Sequence, residues 1–410
     1  MRLAVVSPFV DRRHGTERAL AELLERLARD EHCEIHLYAQ RVEDLALGQP
    51  LGQPGVALSQ NPGAILWHKV PSVPGPHLLQ FIAWLFLNSF CRAWDGLVRG
   101  LRFDLVLSPG INSLDADVIL VHALFHRLQE LAREEHRPSP SLGFLRQLHR
   151  RAYYSLLAGL ERHIYSDPKV SLAAVSQRTA TLLHDYFRCQ DVRVVPNGVD
   201  TSHFSPSARL ARRPEARLRR KFQETDFVLL LIGNDWRVKG LETVLRAVAA
   251  LRDLPILLIA AGDDSPDSFR ETAKSLGILE RCRFEPSRED VLDFYAAADL
   301  YVSPSLEDSF GLPVAEAMAC GLPAITSIFA GVSSLLRDGV DSFILRDPYD
   351  AKTLATMIRT LCQQAEWRSR MGQAGARASL EWTWDRNAAA IWDLLKDSAA
   401  RKAAPSARKA

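Results

Sequence analysis

Two loop-to-helix junctions in this chain carry residues suited to a phosphorylated sugar. Lys239 stands beside Gly240 at the start of one predicted helix, with Arg237 two residues earlier. An ammonium and a guanidinium so placed can stabilise the charge that develops on a departing diphosphate. Gly311 marks the second junction. There the backbone N–H groups of Phe310, Gly311 and Leu312, together with the positive end of the helix dipole, converge on a spot suited to phosphate. Asp308 precedes this junction, and Glu316 follows it by about one turn of helix, seven residues separating the two carboxylates. A carboxylate in that place can accept hydrogen bonds from neighbouring hydroxyls of a sugar or ribose. Taken alone, Asp308 would serve equally as a helix cap, Glu316 as a solvated helix carboxylate and Lys239 as a solvated helix start.

These residues need elements to hold them. Leu300 to Val302 is a short apolar run, Ser303 to Gly311 a polar turn, and the next stretch a helix with Pro313 in its first turn and Gly321 just past its end; a second apolar run reaches Thr326. That is strand, loop, helix, strand, the unit of a parallel sheet. The N-terminus repeats the plan. Leu3 to Val6 reads as a buried strand, Ser7 to Thr16 as a loop containing Gly15, with Thr16 as the helix cap. Ala19, Leu20, Leu23, Leu24 and Leu27 recur at helical spacing, and Glu34 to Tyr38 forms the next strand. Phe227 to Ile232 opens a second such series. The pattern predicts an α/β protein of two doubly wound domains. The loop after the first strand lacks G-x-G-x-x-G, which argues against an ordinary dinucleotide site.

The string PS-x-x-D-x-FGLP-x-x-EAMA-x-GLP, Pro304 to Pro323, resembles the signature of retaining GT-B glycosyltransferases of the family 4-like kind. Asp308 stands where that family usually has a glutamate. Gly15-Thr16-Glu17-Arg18 resembles the glycine loop of the family's first domain, with His14 in place of a first glycine; Pro196-Asn197-Gly198-Val199-Asp200 resembles its exit from that domain. The resemblance implies two Rossmann-like domains facing a central cleft: an acceptor-binding domain over 1–205, a donor-binding domain over 206–380, a helix over 381–397 returning to the first domain, and a disordered basic tail over 398–410. It implies transfer of a hexosyl group, with retention, from a nucleoside-diphosphate sugar to a glycan or lipid-linked hydroxyl, in envelope polysaccharide or lipopolysaccharide synthesis. In that reading Glu316 binds the donor ribose and Asp308 the sugar hydroxyls, while His122, at a strand end, sits by the sugar. His126 is a second candidate for that place. Lys239, Arg237, Gly15 and the Phe310–Leu312 amides hold the diphosphate, and the loop with Ser287 and Arg288 meets the nucleobase. No protein nucleophile, cofactor or metal is implied, the leaving diphosphate itself taking the acceptor proton.

Composition narrows the alternatives. At 410 residues, with 47% apolar and 24% charged residues, the chain is sized for two globular domains. A net charge of +2 is too balanced for a nucleic-acid binder. Six cysteines without paired spacing suggest a reducing compartment and neither a disulfide frame nor a zinc site. No signal peptide is visible at the N-terminus, so a cytoplasmic setting is expected. The most apolar segment, Leu78 to Cys91, is too short to span a bilayer and reads as a buried helix. Arg127 to Ser166 is helical and basic, with seven arginines and four glutamates, and suits either a solvated face or contact with the anionic inner surface of a membrane. Two other classes share the two-domain plan: a sugar-nucleotide epimerase or hydrolase, and a catalytically silent nucleotide-sugar-binding subunit.

Overall fold

The computed structural model describes residues 1–48, 63–134 and 144–404, with the backbone alone for 132–134 and 144–152. Its central strands are short runs rich in Val, Ile, Leu and Ala, the composition of parallel strands covered on both faces. The chain divides into two compact units, one of Met1–Val195 with Asp385–Ala410, the other of Pro196–Trp384.

Among the described residues the main sheet of the first unit holds seven parallel strands: β1 (Arg2–Val6), β2 (Glu34–Ala39), β3 (Ile65–Lys69), β4 (Leu105–Pro109), β5 (Val118–Val121), β6 (Ser171–Ala174) and β7 (Val192–Val194). Their order is β3-β2-β1-β4-β5-β6-β7. The second holds β8 (Phe227–Ile232), β9 (Ile256–Ala261), β10 (Cys282–Glu285), β11 (Leu300–Ser303), β12 (Ala324–Ser327) and β13 (Phe343–Leu345), ordered β10-β9-β8-β11-β12-β13. In each sheet the order reverses beside the first strand, the place where doubly wound folds bind ligands at the carboxyl ends of their strands. Leu3, Val5, Leu229 and Leu231 are fully buried at the two sheet centres.

Several expectations are corrected. The first compact unit ends at Val195 and the second begins at Pro196: the Val199 amide donates to the Trp382 carbonyl at 2.7 Å and Phe204 packs edge-on against Tyr295 at 5.8 Å, tying residues 197–204 into the second unit. The last helix runs Trp384–Ala403, so residues 398–403 are ordered. Ala388, Ile391, Leu394 and Leu395 anchor it in the first core, and the buried Ser398 hydroxyl lies 2.7 Å from that of Ser171. The expected tail beyond 404 lies outside the described residues. β3 was hidden because Trp67, His68 and Lys69 interrupt its apolar run at the sheet edge. His14, not Thr16, caps the helix Gly15–Glu31. The apolar segment is part of a surface helix, His77–Arg99, with one face open. The basic stretch forms helices Phe125–Glu134 and Phe144–Tyr165, and the side chains of 132–152 lie outside the described residues. No described helix is long and apolar enough to cross a membrane.

The first unit buries a chain of polar groups between β2, β3 and the His77–Arg99 helix. His36 Nε2 lies 2.9 Å from Glu34, His36 Nδ1 lies 2.8 Å from His68 Nε2, and His68 Nδ1 lies 2.7 Å from Asp95, whose same oxygen accepts from the Tyr38 hydroxyl at 2.8 Å. Arg2 and Arg99 close the two ends, on Glu34 and Asp95. Burial favours the neutral rings; it lowers His36 and pushes His68 down to about 4. Unfolded, both imidazoles titrate near about 6.5. Below that value the unfolded chain takes up protons that the folded one refuses. Stability is therefore complete above the unfolded value and falls as pH drops towards the folded ones. Urea unfolding across that window should show a loss approaching about 1.4 kcal/mol per pH unit from His68.

Candidate functional site

The second unit gathers the acidic and basic candidates. β8 ends in the loop Gly233–Gly240. Trp236, almost fully buried, roots it: its amide donates to Asp264 at 2.9 Å. Gly262, after β9, approaches this loop so closely that an added Cβ would stand 1.9 Å from the Gly233 carbonyl oxygen, and its φ of +155° already disfavours a side chain. The loop's far end is tied to the next strand's exit, for the Leu306 amide donates to the Val238 carbonyl at 2.7 Å. Lys239 is thereby brought against Asp308, its Nζ 2.5 Å from Oδ2, with both side chains mostly buried.

Asp308 is fixed by its backbone. Its amide donates to Phe329 at 3.0 Å, its carbonyl accepts from Gly331 at 2.7 Å, and the Val332 amide donates to Phe310. Gly311 follows at φ +97°, the cap of the helix Leu312–Ala319. Pro313 brings no N–H to the first turn, which leaves the turn's entry to the amides of Gly311 and Leu312. One turn inside, Glu316 is only 4% exposed, and the Tyr295 hydroxyl donates to its Oε2 at 2.7 Å. Burial, with Glu316 next to it, raises the Tyr295 hydroxyl well above its ordinary ionisation, so it stays a donor. Burial first, then the charges of Asp308 and Glu316, raise the Tyr301 hydroxyl too.

Tyr295 carries no motif, and sequence reasoning missed it. Its helix, Leu292–Ala297, is held by arginines of Pro206–Arg219: Arg209 donates to the Tyr295 and Ala298 carbonyls at 3.1 and 2.8 Å, and Arg217 to Ala297 at 3.1 Å. A signal was present, in arginines spaced four apart at 209, 213 and 217, a row along one helix face. Arg237 is exposed on the Lys239 loop. Ser287 and Arg288 sit after β10 with internal partners: the Ser287 hydroxyl donates to Asp263 at 2.5 Å, and Arg288 binds Glu285 at 3.2 Å and covers the Phe294 ring.

In the first unit, Gly15 begins its helix, but Asp11 accepts from the amides of Arg13 and His14 at 2.9 and 3.0 Å. Part of the loop's N–H capacity is thus already used. His122 is half-buried on the wall of a cavity of about 320 Å³, shared with Thr16, Phe81, Trp84, Phe125 and Tyr153. Burial pushes its imidazole down to about 4, so at neutral pH it offers hydrogen bonds and no charge. His126 serves the fold: its ring lies 2.7 Å from Glu161, which also accepts the Phe125 and His126 amides.

Residues 13–203 match the Glycosyltransferase Family 4 model and residues 212–378 the model of glycosyl transferases group 1. The chain belongs to this family 4-like group of GT-B glycosyltransferases. Among its relatives is a D-inositol 3-phosphate glycosyltransferase of Thermobifida fusca (strain YX), 31% identical over 243 residues, 55% of each chain. That of Geodermatophilus obscurus is 34% identical over 256 residues, 58% of this chain and 54% of its own. The chain spans about half the length of the curated relatives it matches. WaaG, a glycosyltransferase involved in lipopolysaccharide biosynthesis, shares the fold at TM-score 0.71 and 20% identity, over 98% of this chain and 100% of its own. So does Anabaena HepE, solved with UDP-glucose, at 0.68 and 18%, over 97% and 100%.

Gly262→Ala should destabilise the second unit by at least about 2 kcal/mol, since the strained φ and the clash with Gly233 must both be relieved. Urea unfolding measures it.

Proposed function

We propose that the chain is a retaining glycosyltransferase that moves a hexosyl group from a nucleoside-diphosphate sugar to a hydroxyl of a glycan or lipid-linked acceptor. The observation that carries this reading is the convergence of Lys239, Asp308 and the Gly311 helix start, beside a Glu316 held by Tyr295. UDP is the proposed nucleotide, supported by the fold's likeness to HepE with its bound UDP-glucose.

In the proposed reaction the diphosphate lies against Lys239, Arg237 and the Gly311–Leu312 amides. As the bond from the sugar to the diphosphate lengthens, charge grows on the leaving oxygen, where a nearby ammonium and oriented amides stabilise it most. The acceptor hydroxyl bonds to the anomeric carbon on the same face and gives its proton to the departing diphosphate. Configuration is thereby retained without a protein nucleophile; support comes from the pairing of Asp308 and Glu316 that the chain shares, one methylene shorter, with retaining members. Glu316 takes the ribose hydroxyls and Asp308 those of the sugar. His122, neutral in its cavity, is the proposed hydrogen-bonding partner for a sugar hydroxyl. With two cations and a helix start to balance the diphosphate, the reaction needs no metal, and chelator should leave the rate unchanged. The proposed setting is the cytoplasmic face of the membrane, in envelope polysaccharide or lipopolysaccharide assembly.

Lys239→Ala and Glu316→Gln should each lower kcat/KM for UDP-sugar turnover by about 100-fold or more, the scale of losing a charged contact to a developing anion or a buried carboxylate contact. Unchanged turnover in both variants rejects the site. Tyr295→Phe should weaken UDP binding by about tenfold, the worth of one hydrogen bond to a charged group, with the acceptor-dependent step little altered. Calorimetric titration with UDP reads it directly.

A further inference from the structure

The helix His77–Arg99 carries two faces that the proposed reaction uses unequally. Its inner face is pinned. Trp84 donates to the Asn112 carbonyl at 3.0 Å, Arg92 binds Asp115 at 2.7 Å, and Asp95 accepts from Tyr38. At the helix start, His77, Gln80, Phe81 and Trp84 line the His122 cavity. The outer face is apolar and uncovered. Leu79, Phe86, Phe90, Trp94, Leu97 and Val98 are each more than half exposed. Their spacing of 7, 4, 4 and 3 residues from Leu79 to Leu97 keeps them on one stripe, about 27 Å long. At 100° per residue this stripe lies nearly opposite Trp84, Asn88 and Asp95. Buried positions would explain such residues; exposed ones, so many on one line, mark a contact surface.

The charges beside the stripe say what the contact is. Lys69 and Arg99, both exposed, border the depression in which Phe90 and Trp94 stand, their rings stacked at 6.2 Å. No Asp or Glu is exposed along the helix; its one carboxylate, Asp95, is buried against His68, Tyr38 and Arg99. A second copy laid on this stripe would bring the same cations and no carboxylate to meet them. An anionic bilayer supplies both the apolar layer for Phe86, Phe90 and Leu97 and the phosphates for Lys69 and Arg99. We propose that this outer face is an interfacial membrane anchor, lying flat in an anionic lipid surface, with the mouth-lining residues of the His122 cavity on the same helix. This surface is separate from the basic stretch 127–166, where a membrane contact was also expected. The proposal stands apart from the catalytic reading, since it needs no donor.

Flotation of the purified chain with vesicles of phosphatidylcholine, with and without phosphatidylglycerol, tests it. The chain should float with the anionic vesicles, and brominated acyl chains should quench a fluorescence component that Trp94→Phe removes. Phe86→Ser with Leu97→Ser should lower the partition coefficient at least tenfold while leaving the melting temperature and UDP affinity in place, because both side chains already face water. Lys69→Glu should lower it about fivefold or more on anionic vesicles only. No flotation with anionic vesicles overturns the proposal. So does flotation that the serine variant retains, which would put the contact elsewhere. Self-association of the chain that the serine variant abolishes would assign the stripe to a second copy and overturn it equally. UDP binding, read on the same samples, separates failure of the anchor from failure of the catalytic site.

Discussion

The ion pair between Lys239 and Asp308 ties together two loops of the second unit, those that follow β8 and β11. Neither charge is in open water, so each is the other's principal compensation, and removing one would strand its partner in a poorly solvated place. The pair spans the exits of β8 and β11, which are neighbours in the sheet. The Leu306–Val238 hydrogen bond secures the same two loops through the backbone. Within the pair each charge neutralises the other. In the proposed reaction the diphosphate competes with Asp308 for the ammonium and frees the carboxylate for a sugar hydroxyl. One exchange of partners equips both groups for the proposed reaction.

That arrangement rests on rigid supports. Asp308 is held at both backbone ends by residues 329–331, and Glu316 by a tyrosine whose helix is fastened at its carbonyl end by buried arginines. Arginines suit this work, since one planar fork can satisfy several carbonyls that the end of a helix leaves without partners. Glycines supply the other half of the precision: Gly262 lets β9's exit touch Gly233, and Gly311 turns the chain into its helix with φ positive. Side chains of ordinary size at either point would push Lys239 or the Leu312 amide out of place.

Much of this was legible beforehand, and unevenly so. Apolar runs such as Phe227 to Ile232 and Leu300 to Val302 predict parallel strands because sheets covered on both faces need them, and Gly311 with Pro313 marks a helix start by local chemistry alone. The Pro304–Pro323 string identified the family before any geometry did. What escaped was set by tertiary context. β3 is an edge strand whose Trp67, His68 and Lys69 are tolerated by the buried Glu34–His36–His68–Asp95 chain, a set of partners that sequence spacing does not reveal. Tyr295 lies in a plain apolar helix and gains its role from a carboxylate 21 residues away. Spacing also does not reveal that Asp11, four residues before Gly15, accepts from the Arg13 and His14 amides. The final helix extends past Ser398 because Ser171 and Asp117 reach out to Ser398, Arg401 and Lys402, contacts that a composition rich in Ala, Lys and Arg conceals.

The helix His77–Arg99 shows why burial must be read face by face. Its sequence is apolar enough to predict a core helix, and half of it is one. The polar residues Asn88, Arg92 and Asp95, which look like interruptions, are on the buried side, each satisfied by named partners, while phenylalanine, tryptophan and leucine look outward. An ordinary amphipathic helix on a water-soluble surface has the opposite polarity. Inversion of this kind costs the chain nothing where the outer medium is itself apolar, because the polar groups find their partners inside and the apolar ones find theirs outside. A helix with that inverted pattern is matched to lipid on one side and to a polar protein interior on the other. The same helix also supplies the aromatic wall of the His122 cavity. Cavity and surface stripe therefore share one element, a helix roughly 10 Å across.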